Sequence, residues 1–279
     1  MKLTGGRDVT HFGLRGRLYS STAVPGPAHT EGPQGAKEPP SYVLLHGIGV
    51  SHRYLARLHL ELAKTGNVYT FDLPGFGDAP SPREQIQVEQ YADFVAAALA
   101  DEAARQMNGS PMGASIVVGH SMGTQFAVEL ALRRPQLVSG VVLMSPVVDP
   151  QRGTVLKQAA DLTTDALFCE SPSSNITVFS DYFRAGPRWY LTELPVMMGY
   201  PLAGRTGQVQ QPVLVVRGSR DPVARGRWCR ELAETAPHGT LVEVPGKGHV
   251  VQHTGTAAVA TAITRWASAT DQGGLFTAR

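Results

Sequence analysis

The chain has 279 residues, with 25 Lys and Arg against 23 Asp and Glu and a net charge of +2. That length holds one large domain or two small ones around a buried core, and the near-even charge argues against a nucleic-acid partner, which calls for a basic face. Two cysteines, Cys169 and Cys229, are too few for a disulfide framework, no run of 18 apolar residues exists to span a membrane, and the opening MKLTGGRDVTHF lacks an apolar signal core, so a cytoplasmic protein is expected.

Taken in order, VTHFGLRGRLYSS reads as a strand or hairpin, and 23–40, rich in Pro and Gly, as a surface loop. Ser41–Leu45 (SYVLL) is a short apolar strand ending at His46-Gly47. The spacing of Tyr54, Leu55, Leu58 and Leu62 predicts a helix over Ser51–Lys64. Asn67–Asp72 (NVYTFD) is the next strand, closed by the turn LPGFGD, and Glu84–Gln106 is a long helix. Ser115–Val118 is a strand, Gly119 to Gly123 a turn, and the helix after it stops at Pro135. Gly140–Met144 is a further strand.

Between Val147 and Gln210 the rhythm breaks into polar segments and an aromatic stretch, FSDYFRAGPRWYLTELPVMMGY. It then resumes with a strand at Pro212–Arg217, a helix at Ala224–Thr235, a strand at Thr240–Val244, a helix at Thr254–Trp266 and a loose tail. Short apolar strands alternating with helices imply an α/β fold with a parallel sheet buried on both faces. Ligands in such sheets bind at the carboxyl ends of strands. Residues 1–146 and 211–279 form the core on this reading, and 147–210 a cap over those ends.

The chemistry-bearing motifs all follow strands. Gly119-His120-Ser121-Met122-Gly123 is a G-x-S-x-G between a strand and a helix. In that context the turn lifts the serine hydroxyl off the sheet and sets it at a helix N-terminus, where negative charge is favoured, so Ser121 is the expected nucleophile. A serine needs a base. Of nine histidines, His249 in the PGKGH loop after the last strand is preferred; His253 is its rival, and His120 reads as packing beside the site. His52 and His59 read as a packed or solvated helix face, and no metal-ligand spacing is present. The acid that would hold the base is Asp221 in RGSRDP, with Asp149 as rival and a plain helix-capping turn as the bland alternative. The Ile48 N–H of HGIG and the Met122 N–H are the expected oxyanion donors, with Gly49 as the alternative to Ile48.

HGIG, DLPGFGD, GHSMG, GSRDP and GKGH, in that order, resemble the α/β-hydrolase superfamily over about three quarters of the chain. The resemblance implies a mainly parallel eight-stranded sheet with helices on both faces, a cap after the sixth strand, and a cofactor-independent Ser121–Asp221–His249 triad. Ser121 argues against the haloalkane dehalogenase and epoxide hydrolase branches, which carry Asp at that point. His120 and Val250 depart from the Asn and Trp usual in carbon–carbon hydrolases. The expected activity is serine hydrolysis of an ester, lactone or thioester of a small substrate through an acyl-enzyme. Trp189, Tyr190, Phe183 and Met197 of the cap are the expected lining for an apolar or aromatic group. The alternatives are carbon–carbon hydrolysis, another cofactor-free chemistry such as a lyase or perhydrolase, and a non-catalytic ligand receptor.

Overall fold

The strands of this chain alternate their apolar side chains between two faces, and that alternation builds two cores. The computed structural model describes residues 2–23, 39–106, 113–152, 164–165 and 172–271. The strands are β1 (Arg7–His11), β2 (Leu14–Ser21), β3 (Ser41–Leu45), β4 (Asn67–Asp72), β5 (Ser115–His120), β6 (Val138–Met144), β7 (Val213–Gly218) and β8 (Gly239–Val244). They form one sheet in the order β1-β2-β4-β3-β5-β6-β7-β8. β1 and β2 make an antiparallel hairpin, β2 runs antiparallel to β4, and all other pairs are parallel.

The helices are α1 (His52–Leu62), α2 (Val88–Gln106), α3 (Gly123–Arg133), α4 (Pro172–Ala185), α5 (Pro187–Gly199), α6 (Leu202–Thr206), α7 (Gly226–Thr235), α8 (Val251–Thr254) and α9 (Thr256–Asp271). Val43, Leu45, Val117, Leu143 and Val215 face α2, α3 and α7 in one apolar cluster. Tyr42, Leu44, Val118, Val142 and Val216 face α1 and α9 in the other. Burial on both faces explains why β3, β5, β6 and β7 read as continuous apolar runs.

Helix ends follow local hydrogen bonds. α1 starts after Ser51, whose Oγ accepts from the Arg53 N–H at 3.3 Å. α2 begins at Val88, not Glu84; just before it the Ile86 N–H donates to Glu193 at 3.1 Å and the Gln87 N–H to Gln90 Oε1 at 2.9 Å. The last helix runs to Asp271, so Ser268–Asp271, expected in the tail, is helical. Residues 272–279 and most of the Pro/Gly-rich loop lie outside the described residues.

Among the described residues the stretch between β6 and β7 contains α4, α5 and α6 and no strand. These helices join the loops and helices at the carboxyl ends of β3, β4 and β5. Asp181 accepts from Ser51 at 2.5 Å and from Arg53 at 2.9 Å, Arg184 pairs with Asp78, and Gln125 Nε2 donates to the Met197 carbonyl at 2.8 Å.

Candidate active site

The strand register brings the motifs together. Leu45 of β3 lies opposite Gly119 of β5, and His120 lies opposite Met144 of β6. The HGIG loop therefore leaves the sheet beside the GHSMG turn. Ser121 sits in that turn at φ 57°, a left-handed conformation costing a β-carbon-bearing residue on the order of 1–2 kcal/mol. Its N–H donates to the Met144 carbonyl at 3.0 Å, which helps hold the strained residue in place. A Cβ on Gly119 would run into the Gly123 carbonyl, and a Cβ on Gly123 into the Leu45 carbonyl. Close approach of backbone to backbone is thus why glycines flank the serine at two residues on either side. α3 follows at once, buried along Gly123–Ala131.

The acid and base loops stack on one another. Arg220 N–H donates to the Lys247 carbonyl at 2.9 Å, and the space a Cβ would need on Gly218 is filled by the Lys247 and Gly248 carbonyls. His249 Nδ1 lies 3.0 Å from Asp221 Oδ2, both side chains buried. Asp221 Oδ1 accepts from the Val223 and Ala224 amides at 2.8 and 2.9 Å. Burial pushes this carboxyl up, but His249, the Ala224 amide and the Ser145 hydroxyl outweigh it and hold it below the usual carboxylate range. An ionised Asp221 only accepts, so His249 Nδ1 carries the proton and Nε2 is the basic nitrogen. Arg217 steadies the acid loop through the Ala224 carbonyl at 2.7 Å and the Asp221 carbonyl at 3.2 Å.

The rivals lie elsewhere. Asp149 Oδ1 is 2.8 Å from Arg227 and accepts from the Gln151 amide at 2.9 Å. His253 stands beside Arg57, whose guanidinium donates to its carbonyl at 3.2 Å. His52 is buried against Asp72 at 2.9 Å, and His59 between Thr70 and Ser21, each at 2.8 Å, so neither makes a solvated face. Among the described residues no group of three or more His, Cys, Asp or Glu is arranged to hold a metal ion.

On the oxyanion side, an ideal Cβ on Gly47 would sit 2.9 Å from Ser121 Cβ and 3.3 Å from Ser121 Oγ. The following Ile48 and the residue after the serine, Met122, are buried in one cluster with Phe76, Trp189 and Met197. Tyr182 and Tyr190 meet edge to face, ring centroids 5.5 Å apart, against the loop at Gly49. Tyr190, Trp189 and Met197 are thus in the neighbourhood of the serine loop, whereas the Phe183 side chain lies outside the description. Trp189 packs on Gly75 of the DLPGFGD turn, and Met197 also joins α3 through its carbonyl.

Sequence reasoning missed three neighbours of these residues. Asp165 accepts from the His249 N–H at 2.8 Å, Tyr54 flanks the HGIG loop, and Ser145 adjoins Asp221. Of these only Tyr54 carried a signal, as an apolar-face position of α1, while Tyr182, which also flanks that loop, lies in the aromatic stretch already singled out.

Residues 42–262 match the alpha/beta hydrolase family. The chain belongs to that family. It is 26% identical over 254 residues to (E)-2-((N-methylformamido)methylene)succinate hydrolase of Acinetobacter baylyi, covering 85% of this chain and 93% of that one. It is 29% identical over 238 residues to pimeloyl-[acyl-carrier protein] methyl ester esterase of Chromobacterium violaceum, covering 75% of this chain and 87% of the relative. The fold superposes on Est816, an N-acyl homoserine lactone degrading enzyme, with a TM-score of 0.74 at 20% identity, covering 93% of this chain and all of the other. Both of these curated relatives are hydrolases, as the family is. No helix among the described residues is long and apolar enough to cross a membrane.

Proposed function

We propose that this hydrolase cleaves a carboxylic ester, lactone or thioester of a small apolar or aromatic substrate by way of an acyl-enzyme on Ser121. The observation that carries the reading is the buried Asp221–His249 bond of 3.0 Å, at the same sheet end as a serine held at φ 57°. In this mechanism His249 Nε2 takes the proton of Ser121 Oγ as the oxygen attacks the acyl carbonyl. Asp221 holds the Nδ1–H tautomer and balances the imidazolium. The Ile48 and Met122 N–H groups receive the oxyanion. His249 then protonates the leaving group, and water activated by the same imidazole releases the acid. The helical insertion acts as the cap, with Trp189, Tyr190 and Met197 facing the acyl or alcohol group.

The esterase among the relatives and the lactone-degrading neighbour favour an oxygen-ester bond. The methylenesuccinate hydrolase favours a second reading, in which the scissile group is borne on a substituted succinate. A panel of p-nitrophenyl esters, lactones and an (acylaminomethylene)succinate, run beside Ser121→Ala, tests both. The expected result is turnover of at least one ester or lactone, with a loss of roughly 10⁴–10⁶-fold in kcat in the variant. Turnover confined to the succinate arm moves the substrate assignment to the second reading. Undiminished activity in Ser121→Ala refutes the nucleophile.

A further inference from the structure

We propose that Tyr54 and His120 are positioning residues that lock the oxyanion-side loop and the base loop to each other through one hydrogen-bond chain of fixed direction. This inference rests on the serine-hydrolase reading above. The chain begins at the Gly47 N–H, which donates to Tyr54 Oη at 2.8 Å. An amide only donates, so Tyr54 accepts there, and its own proton is available to His120 Nδ1, also at 2.8 Å. His120 Nδ1 is then an acceptor, its proton sits on Nε2, and Nε2 donates to the His249 carbonyl at 2.9 Å. One tautomer satisfies every member, from the residue before Ile48 to the backbone of the base itself.

The surroundings keep that tautomer in place. Tyr54 and His120 are both 2% exposed, and their rings meet edge to face with centroids 5.1 Å apart. Burial, followed by the nearby His249, pushes the His120 imidazole down to about 3, so at neutral pH it keeps the lone pair that Tyr54 needs. Burial also pushes the Tyr54 hydroxyl well above its usual range, so it stays a donor.

The purpose of the chain follows from peptide geometry. The Ile48 N–H belongs to the same planar unit as the Gly47 carbonyl, and the unit is trans. That carbonyl accepts from His46 Nδ1 at 2.7 Å, while His46 Nε2 accepts from the Leu73 amide at 3.0 Å. With Tyr54 holding the Gly47 N–H and His46 holding the Gly47 C=O, both peptide planes entering Ile48 are pinned. The Ile48 N–H has one orientation left. The same bonds tie that orientation to His120, the neighbour of Ser121, and to His249.

The test uses p-nitrophenyl acetate turnover and the rate of Ser121 phosphonylation by an alkyl fluorophosphonate, which also develops charge on an oxygen in the oxyanion site. Tyr54→Phe, the loss of one oxygen, is expected to lower kcat and the phosphonylation rate about 10–100-fold with KM within about twofold. His120→Leu is expected to do at least as much. His120→Asn restores an acceptor close to the Nδ1 position, so it should recover part of the loss, and that recovery should vanish in the Tyr54→Phe background. If His120→Leu does not fold, Tyr54→Phe and His120→Asn carry the test alone. Variants whose Tm falls while kcat and phosphonylation stay within about twofold of the parent overturn the inference and leave the pair a structural brace. An inert Ser121→Ala beside a fully active Tyr54→Phe defeats this inference only. An active Ser121→Ala defeats the functional reading and this inference with it.

Discussion

Asp221 performs two jobs with one carboxylate. Oδ1 closes a turn by accepting the Val223 and Ala224 amides, which is the modest helix-start role that its sequence context suggests. Oδ2 faces His249. The two oxygens can be separated experimentally, because Asp221→Asn keeps an oxygen for the turn and replaces the other acceptor by an NH₂. The amide can only donate to Nδ1, so the imidazole is driven to the tautomer with its proton on Nε2, where it cannot take one from Ser121. The same exchange in the best-studied serine protease triad leaves the geometry intact and costs about 10⁴-fold in kcat. Asp221→Asn is expected to lose roughly 10³–10⁴-fold here with an unchanged far-ultraviolet spectrum and little change in Tm. A drop under tenfold would remove Asp221 from the mechanism.

At the scale of elements, the joint between α3 and the inserted helices depends on one buried acid. Glu129 of α3 is 1% exposed and receives Tyr200 Oη at 2.9 Å and Arg205 through Nε at 3.1 Å and Nη2 at 2.8 Å. Removing one partner of such a pair strands a charge away from water, at a typical cost of about 3–5 kcal/mol. Arg205 is partly exposed, so water would compensate in part. Arg205→Ala is therefore expected to lose about 2–3 kcal/mol, and Arg205→Ala with Glu129→Gln to recover most of it, measured by urea unfolding. Additive losses would show that the charge is not what binds these elements. The same joint shows what the sequence could not reveal. The central strands and α1, α3 and α7 were legible because burial on one or two faces writes a period into the residues. α4 and α5 were not, since they cover loops and one another, and Tyr182, Trp189 and Met197 each meet a different partner at no common spacing. Of the proposed site, Ser121, Asp221 and His249 could be picked out from the sequence because each follows a strand in a Gly- or Pro-marked turn. Tyr54 and Asp165 could not. Their polar atoms meet residues 66 and 84 positions away, and only folding brings them together.

For the molecule as a whole, the buried ionisable groups set how stability depends on pH. His46, His59 and His120 lie buried on the strand ends and α1, and burial lowers all three, His59 to about 4 and His120 to about 3. Between the ordinary imidazole value of about 6.5 and those lower values, the unfolded chain binds protons that the folded chain refuses. Their contribution is fully present above pH 6.5 and is lost as pH falls through the folded values. Glu193 of α5 has the opposite sign: burial raises it from 4.5 to about 7, so its contribution is present below 4.5 and lost as pH rises through 7. Each tenfold change in proton affinity is worth about 1.4 kcal/mol, so a single such group carries a few kcal/mol across its window. Burial also lowers His253 to about 4 and raises the Asp181 carboxyl, so four lowered imidazoles stand against two raised carboxyls, and the net change on acidification is unfavourable. The free energy of unfolding, followed by urea titration between pH 6.5 and 4, should fall by several kcal/mol. His59→Gln, which keeps hydrogen-bonding atoms for Thr70 and Ser21, should make that fall shallower, and Glu193→Gln should make it steeper because an opposing group is gone. A flat profile in the parent chain, or variants that shift it in the reverse senses, would mean that these side chains do not meet the apolar surroundings that their packing against the sheet provides.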